Sequence, residues 1–234
     1  LRVRFSYQTN ILNFFSYINN LVIKITNYLM LLAPVAIFSL FSNLLIDIDN
    51  DLLFSLLRFV VICIFVFLIY MFFFYGLIIK YFVKYSPIKF FSLIKDTLIF
   101  AFFSSSSAAT MPLTLRTAEE KLKIKKEISS FVVPIGTTVN MDGSAIYLGL
   151  SAVFMAQLLN LNLSIDQYVI ISLTATIGSI GAAGVPSVAL VMMTIVFSSI
   201  GIPIEAIAII AGVDRLLDMF RTSINVAGDL TISK

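Results

Sequence analysis

From Leu52 to Phe82 the chain runs thirty-one residues with only two charges, Arg58 and Lys80, and is dense in Phe, Ile and Val. About 20 consecutive apolar residues are enough for a helix to cross a bilayer. Within hydrocarbon a single run must satisfy its backbone hydrogen bonds internally, so a helix is the form left to it. A second run, Leu21 to Ile46, is interrupted only by Lys24 and Pro34 before its acidic end. Composition agrees with these runs. Of 234 residues, 59% are hydrophobic and 12% charged, and mean hydropathy is +1.02. Soluble domains carry about 25% charged residues. An ordinary soluble globular protein, a disordered chain and a nucleic-acid-binding module are therefore excluded. The net charge of +3 is too small to suggest a polyanion partner. The single cysteine, Cys63, has no internal disulfide partner, and the absence of histidine removes Cys/His metal sites and Ser–His or Cys–His catalysis. The expectation is an all-α integral membrane protein that is not an enzyme.

Beyond Pro87 the pattern changes. Segment 88–107 is apolar but ends in Ser104, Ser105, Ser106 and Ser107, whose hydroxyls compete for backbone hydrogen bonds. A second stretch follows Pro112 and turns basic at Lys121, Lys123, Lys125 and Lys126. Segment 166–201 has the same layout: Val169–Ile180, a tip Gly181–Ala182–Ala183–Gly184–Val185–Pro186–Ser187, then Val188–Ile200. Each half is short for a span. Paired, Gly/Pro-interrupted short segments point to broken helices around a transport site; two kinked spanning helices are the simpler alternative.

Loop charges discriminate, because lysine and arginine concentrate on the cytoplasmic side. Lys80, Lys84, Lys89 and Lys95 precede or open the first interrupted segment, and Arg116 with four lysines follows its tip. Both ends then lie inside, and 88–128 reads as a re-entrant hairpin. Asp166 and Glu205 flank the second, which reads as re-entrant from outside. Arg2, Arg4 and Lys24 are placed inside, and Asp47, Asp49 and Asp51 outside. The expected organisation is a scaffold-like first helix in 1–50 and a core in 51–234. That core comprises helix 52–83, hairpin 88–128, helix 131–159, hairpin 166–201 and helix 204–232. It amounts to about four spanning helices plus two hairpins.

The last helix carries the strongest chemical signal. Asp214, Asp218, Arg221, Asn225 and Asp229 lie at offsets of 4, 3, 4 and 4. At about 100° and 1.5 Å per residue they form a polar stripe within about 80°, roughly 22 Å long. Intramembrane charges are expensive and usually functional. An Asp218–Arg221 ion pair that locks helix packing would explain two of the five. Arg215, about 100° off the stripe, is placed to pair with Asp214 or a neighbouring segment. A second signal is Asn140–Met141–Asp142–Gly143–Ser144 within an apolar run. It suggests local unwinding, tolerated at depth only when buried or lining a cavity. Oxygen ligands alone suit a hard cation; a packing glycine among hydrogen-bonded neighbours is the plainer account. The helices after Thr110–Met111–Pro112 and after Pro186 are expected to open at the tips, with proline in the first turn. Half-helix N-termini attract anions, so a carboxylate-bearing guest fits between the tips.

Four motifs in order now resemble a known family. They are Ser104–Ser105–Ser106–Ser107–Ala108–Ala109–Thr110–Met111–Pro112, Asn140–Met141–Asp142–Gly143, Ser179–Ile180–Gly181–Ala182–Ala183–Gly184–Val185–Pro186, and Asp218–Met219–Phe220–Arg221–Thr222 with Asn225 and Gly228–Asp229. The chain resembles the C-terminal part of the glutamate/aspartate–cation symporters, also called dicarboxylate/amino acid:cation symporters. Family members have eight spanning helices and two hairpins. The resemblance covers the fifth and sixth helices, both hairpins and the last two helices. It lacks the N-terminal helices, which include most of the trimer scaffold and the third helix of the elevator-type transport domain.

The resemblance implies a secondary active symporter of the cell membrane, multi-pass, coupling sodium or proton entry to uptake of L-glutamate or L-aspartate. It implies a homotrimer for the complete chain, membrane lipid around it and no organic cofactor. Arg221 would bind the substrate side-chain carboxylate and Asp218 the ammonium. Ser106, Ser107, Ser144, Val185, Thr222 and Asn225 would hold the remainder. Ser144 stands where many members have threonine, and Ala189 where some have glycine. Ser105 stands where some have an arginine, whose charge Arg215 would supply. One sodium site would use Asp229 with Gly136, Asn140 and Asn225. A second would use carbonyls of Thr138, Ser179, Ile180 and Ala182. Asn140 and Asp142 would form part of a third. The other readings are a C4-dicarboxylate or different amino-acid symporter, an anion-leak channel, and a truncated, non-transporting membrane remnant.

Overall fold

The computed structural model describes residues 50–182 and 184–234, with scattered positions between 13 and 35. The expected first helix and the scaffold segment 1–50 lie almost wholly outside the described residues, as does Ala183 of the second tip. The chain divides into two units, Leu1–Asp47 and Ile48–Lys234; the second carries every candidate site residue. Every regular element among the described residues is helical.

Helix α1 spans Asn50–Tyr81. Leu56, Phe59, Cys63, Phe67 and Met71 recur at helical spacing and are buried. Phe54, Val61, Phe65, Phe72 and Phe73 face outward. A helix apolar on both faces suits a protein core on one side and hydrocarbon on the other. Within it Tyr70–Phe74 forms a π turn, closed by the Tyr75 amide on the Tyr70 carbonyl.

Helices α2 (Pro87–Ser104) and α3 (Ser107–Arg116) are the arms of the first hairpin. Ser86 caps α2 with Pro87 in its first turn, the position where a missing N–H costs nothing. Ser105 then takes a left-handed conformation (φ 49°) and ends it. Pro112 does not open α3, contrary to expectation. Ser106 caps the helix by accepting from the Ala109 amide at 3.1 Å, so α3 begins five residues earlier and Pro112 lies inside it. A π turn, Thr117–Lys121, follows.

Helices α4 (Lys126–Val139) and α5 (Asp142–Leu158) occupy the run expected as one helix. The chain unwinds at Asn140–Met141, where ψ reaches 78° and 47°. Helices α6 (Ile165–Ile180) and α7 (Val188–Ser199) form the second hairpin. Ser164 and Gln167 make a capping box on α6. Pro186 lies just outside α7, whose cap is Ser187 at φ 59°.

A short 3₁₀ turn, Ile204–Ala206, leads into α8, Ile207–Ser233. Every residue of α8 from Arg221 to Thr231 is buried. It packs most extensively on α2, α4 and α5, and also on α1, α3 and α7. Thus the helix with the polar stripe is the one the others surround. By length and apolarity alone, Asn50–Tyr81 and Lys126–Leu158 qualify as membrane-crossing helices among the described residues. Helix α8 has the length, 27 residues, but carries five charges, Asp214, Arg215, Asp218, Arg221 and Asp229.

The α5–α8 crossing is close because Gly143 has no side chain. A Cβ there would stand 2.7 Å from the Arg221 carbonyl oxygen and 2.9 Å from its Cα. Backbone at a helix crossing yields little, so Gly143→Ala should destabilise by about 1–3 kcal/mol. Gly149→Ala on the same helix, with no described atom within 4 Å, should be neutral or gain up to about 1 kcal/mol. Thermal unfolding of the purified protein in detergent checks both; equal midpoints would contradict this packing.

Candidate functional site

The two hairpin tips touch. The Ser106 hydroxyl donates to the Gly184 carbonyl at 2.8 Å, and the Ala108 amide donates to the same oxygen at 3.1 Å. One carbonyl of the second tip is thereby held by the first turn of α3. Beneath the contact lies a cavity lined by both tips (Ser105, Ser107, Gly184, Val185, Val188, Ala189), the α4–α5 break (Met141, Ser144) and α8 (Asp218, Arg221, Thr222, Asn225). Its free volume is about 10 Å³, about enough for one water. Anything of several heavy atoms enters only if the tips separate.

Seven of the eight residues expected to bind substrate line this cavity: Ser107, Ser144, Val185, Asp218, Arg221, Thr222 and Asn225. Ser106 is instead the cap of α3 and the latch between tips. Ser105 takes the lining position, because its left-handed backbone turns the chain there. The Thr222 hydroxyl donates to the Asp218 carbonyl one turn back, at 2.9 Å. The Asn225 side-chain oxygen accepts from the Gly143 amide at 2.8 Å, satisfying a first-turn donor of α5.

Arg221 dominates the electrostatics. It is 1% exposed, and its Nη2 lies 2.6 Å from Asp218 Oδ1 and 3.2 Å from Asp214 Oδ1. The Asp218–Arg221 pair offered as a packing lock is therefore formed. Asp214 pairs with Arg221, not with Arg215, and the buried Arg215 Nη1 has no hydrogen-bond partner. The guanidinium lies over the Tyr147 ring, 4.2 Å from its centroid, within cation–π range. Tyr147 escaped the sequence reading, yet it follows Ser144 by three residues and so shares its face of α5. Arg221 Nε and Nη1, both Asp214 oxygens and the Tyr147 hydroxyl are buried without hydrogen-bond partners. Such atoms are rare in folded proteins. Two orphaned donors on one guanidinium suit an anionic acceptor. Asp218 Oδ2 accepts from the Ser187 amide at 2.8 Å, so the carboxylate beside Arg221 also holds the second tip.

The residues expected at the first cation site also converge. Asn140 Nδ2 donates to Asp229 Oδ1 at 3.0 Å and to the Asn225 carbonyl at 3.1 Å. A Cβ on Gly136 would collide with the Asp229 carboxylate. The amide donor thus sits against two of the oxygens that would ligate an ion. Of the second set, Ser179 and Ala182 are buried, while Thr138 and Ile180 are exposed. Helices α4 and α6 pack together, but no hydrogen bond joins Thr138 to Ser179, Ile180 or Ala182 among the described residues. In the third set, Asp142 accepts through Oδ2 from the hydroxyls of Tyr70 (2.9 Å) and Tyr75 (2.8 Å). Those two tyrosines were not among the expected residues, because aromatics within an apolar run look like core.

A model of the sodium:dicarboxylate symporter family matches residues 4–234. Excitatory amino acid transporter 3 of Oryctolagus cuniculus is 41% identical over 220 residues, covering 94% of this chain and 42% of the relative. Excitatory amino acid transporter 2 of Homo sapiens is 38% identical over 228 residues, covering 93% and 38%. Excitatory amino acid transporter 4 of Rattus norvegicus is 49% identical over 144 residues, covering 62% and 26%. The chain spans about two fifths of the length of the first of these relatives. With the family match running through both tips, the α4–α5 break and the polar face of α8, the chain belongs to the sodium:dicarboxylate symporter family.

Proposed function

We propose that this chain carries the substrate- and cation-binding core of a secondary active symporter that couples sodium entry to uptake of L-glutamate or L-aspartate. The observation that carries the reading is the buried Arg221 guanidinium. It has two donors without acceptors, lies beside Asp218, and faces a cavity closed by two hairpin tips. A planar guanidinium matches a carboxylate, with two parallel hydrogen bonds available. Asp218 is the complement for an ammonium, which favours an amino acid over a C4-dicarboxylate. The relatives' names, excitatory amino acid transporters, point the same way.

In this reading the second tip opens first, since among the described residues its Ser187 amide and Gly184 carbonyl are held by Asp218, Ser106 and Ala108 alone. Substrate enters, its side-chain carboxylate meets Arg221, and its ammonium takes the Asp218 oxygen freed from Ser187. Tip amides and the Ser144, Thr222 and Asn225 side chains hold the α-carboxylate. Sodium ions at Asp229 and at Asn140–Asp142 neutralise the carboxylates that would otherwise oppose an anionic guest, which is the physical basis of coupling. The core works as an elevator-type domain within a homotrimer in the cell membrane. It comprises α1, the α4–α5 pair and α8, with two hairpins re-entrant from opposite sides; the scaffold-like helix expected at 21–46 is the fourth span and lies outside this core.

Two measurements test this. In competition binding, Arg221→Cys should abolish acidic-substrate affinity, because a buried glutamate carboxylate left without a partner costs about 2–5 kcal/mol. It should retain some affinity for serine, alanine or cysteine. Asp218→Asn should weaken every amino acid, since all share the ammonium. Unchanged glutamate and aspartate affinity in Arg221→Cys would make the arginine structural and remove the substrate assignment. For topology, single cysteines replacing Lys89 and Lys123 in a Cys63→Ala background should resist an impermeant thiol reagent in intact cells, and one replacing Asp166 should react. Labelling at position 123 from outside would overturn the re-entrant hairpin.

A further inference from the structure

Asp142 is held in a way the substrate and ion chemistry above does not use. It is the first residue of α5, immediately after the Asn140–Met141 break. Its Oδ2 accepts two hydrogen bonds, from Tyr70 at 2.9 Å and Tyr75 at 2.8 Å, and its Oδ1 accepts none among the described residues. Both donors come from α1, five positions apart. In a regular α-helix five residues advance about 500°, leaving the two side chains roughly 140° apart. One carboxylate oxygen could not receive both. The π turn Tyr70–Phe74 closes instead from the Tyr75 amide to the Tyr70 carbonyl, which brings residue i+5 back over residue i. The rings then pack edge to face, 5.2 Å apart. Single π turns inside helices occur frequently at functional sites, and this one has an identifiable product.

The same tyrosine reaches α8. A Cβ on Gly228 would collide with both the Tyr75 hydroxyl and the Asn140 side-chain nitrogen. Glycine at 228 therefore admits Tyr75 and Asn140 together against α8, one residue before Asp229. Tyr75 sits at the junction between Asp142 and the Asn140–Asp229 pair. Its side chain is buried, with 1% of the residue exposed.

We propose that Tyr70 and Tyr75 form a phenol clamp, assembled by the π turn, that positions Asp142 for the coupling cation. The clamp fixes one carboxylate oxygen and leaves Oδ1 to the ion. Phenols suit this task because they donate hydrogen bonds without adding positive charge. A lysine or arginine in their place would compete with the cation. Each phenol oxygen also keeps lone pairs that can face an ion. The inference rests on the sodium-coupled reading above, and it assigns the roles of Tyr70 and Tyr75 as positioning residues.

The test is the sodium dependence of thermal stability of the purified chain in detergent, without amino acid, with choline replacing sodium to hold ionic strength. The variants are Tyr70→Phe, Tyr75→Phe and the double, which keep both rings and remove only hydroxyls. The wild type should be stabilised as sodium rises. The double variant should need about tenfold more sodium for half of that effect, as expected for losing hydrogen bonds to a charged group, while its sodium-free midpoint stays close to wild type. A variant that loses sodium-free stability but keeps the wild-type sodium midpoint would make the clamp purely structural and overturn the proposal. If the double does not fold, either single variant decides, with a shift of about threefold supporting the clamp and no shift overturning it. A wild type indifferent to sodium would instead remove the sodium-coupled reading, and the clamp with it.

Discussion

A guanidinium buried among apolar helices is the constraint on which the rest depends. Taking a charge out of water costs several kcal/mol, recovered only by close partners and further hydrogen bonds. Arg221 has its partners in Asp214 and Asp218 on its own helix and an aromatic face in Tyr147, but not its full set of acceptors. Two carboxylates around one arginine leave a formal excess of negative charge in the interior. A site so arranged is not optimised for stability. In the proposed reading a guest completes its polar face by supplying both an anion for the arginine and a cation for the spare carboxylate, which is the form of an amino acid with an acidic side chain.

The surrounding architecture serves to bring backbone to that charge. Helical backbone has no free donors except at its ends, so the fold breaks its helices where polar groups are needed. The interruptions at Ser105–Ser106, Asn140–Met141 and 181–187 separate α2 from α3, α4 from α5 and α6 from α7. All three contribute to one cavity with α8. The apolar faces of α1, α5, α6 and α7 close the core around this region. Among the described residues the tips are latched to each other and to α8 by a few hydrogen bonds, which fits the opening step proposed for them.

Much of this was legible from residue order. The five polar residues on α8 fall on one face by spacing alone, and the break at Asn140–Met141 follows from polar residues and glycine within an apolar run. The tips were legible from serine and glycine clusters. What escaped had a physical reason in each case. Pro112 looked like a helix opener, but the stronger local signal was Ser106, whose side chain caps the first turn. Tyr147 was hidden because an aromatic in an apolar helix usually packs as core. The Tyr70–Tyr75 pair was hidden more deeply, because positions five apart are not neighbours on an α-helix, and the π turn that makes them so leaves no obvious mark in the Phe-rich run. Asp214 pairs with Arg221 rather than with the adjacent Arg215 because positions seven apart share a helix face, whereas neighbouring positions diverge by about 100°.

The central claim is that one buried site binds an acidic amino acid and sodium together. Its most direct measurement is equilibrium binding of radiolabelled L-aspartate to the purified chain reconstituted in lipid, titrated in sodium chloride and, separately, in choline chloride. The account predicts saturable binding whose affinity rises steeply with sodium and disappears in choline. Binding of equal affinity in both salts, or saturable binding of a neutral amino acid with none of aspartate or glutamate, would contradict it.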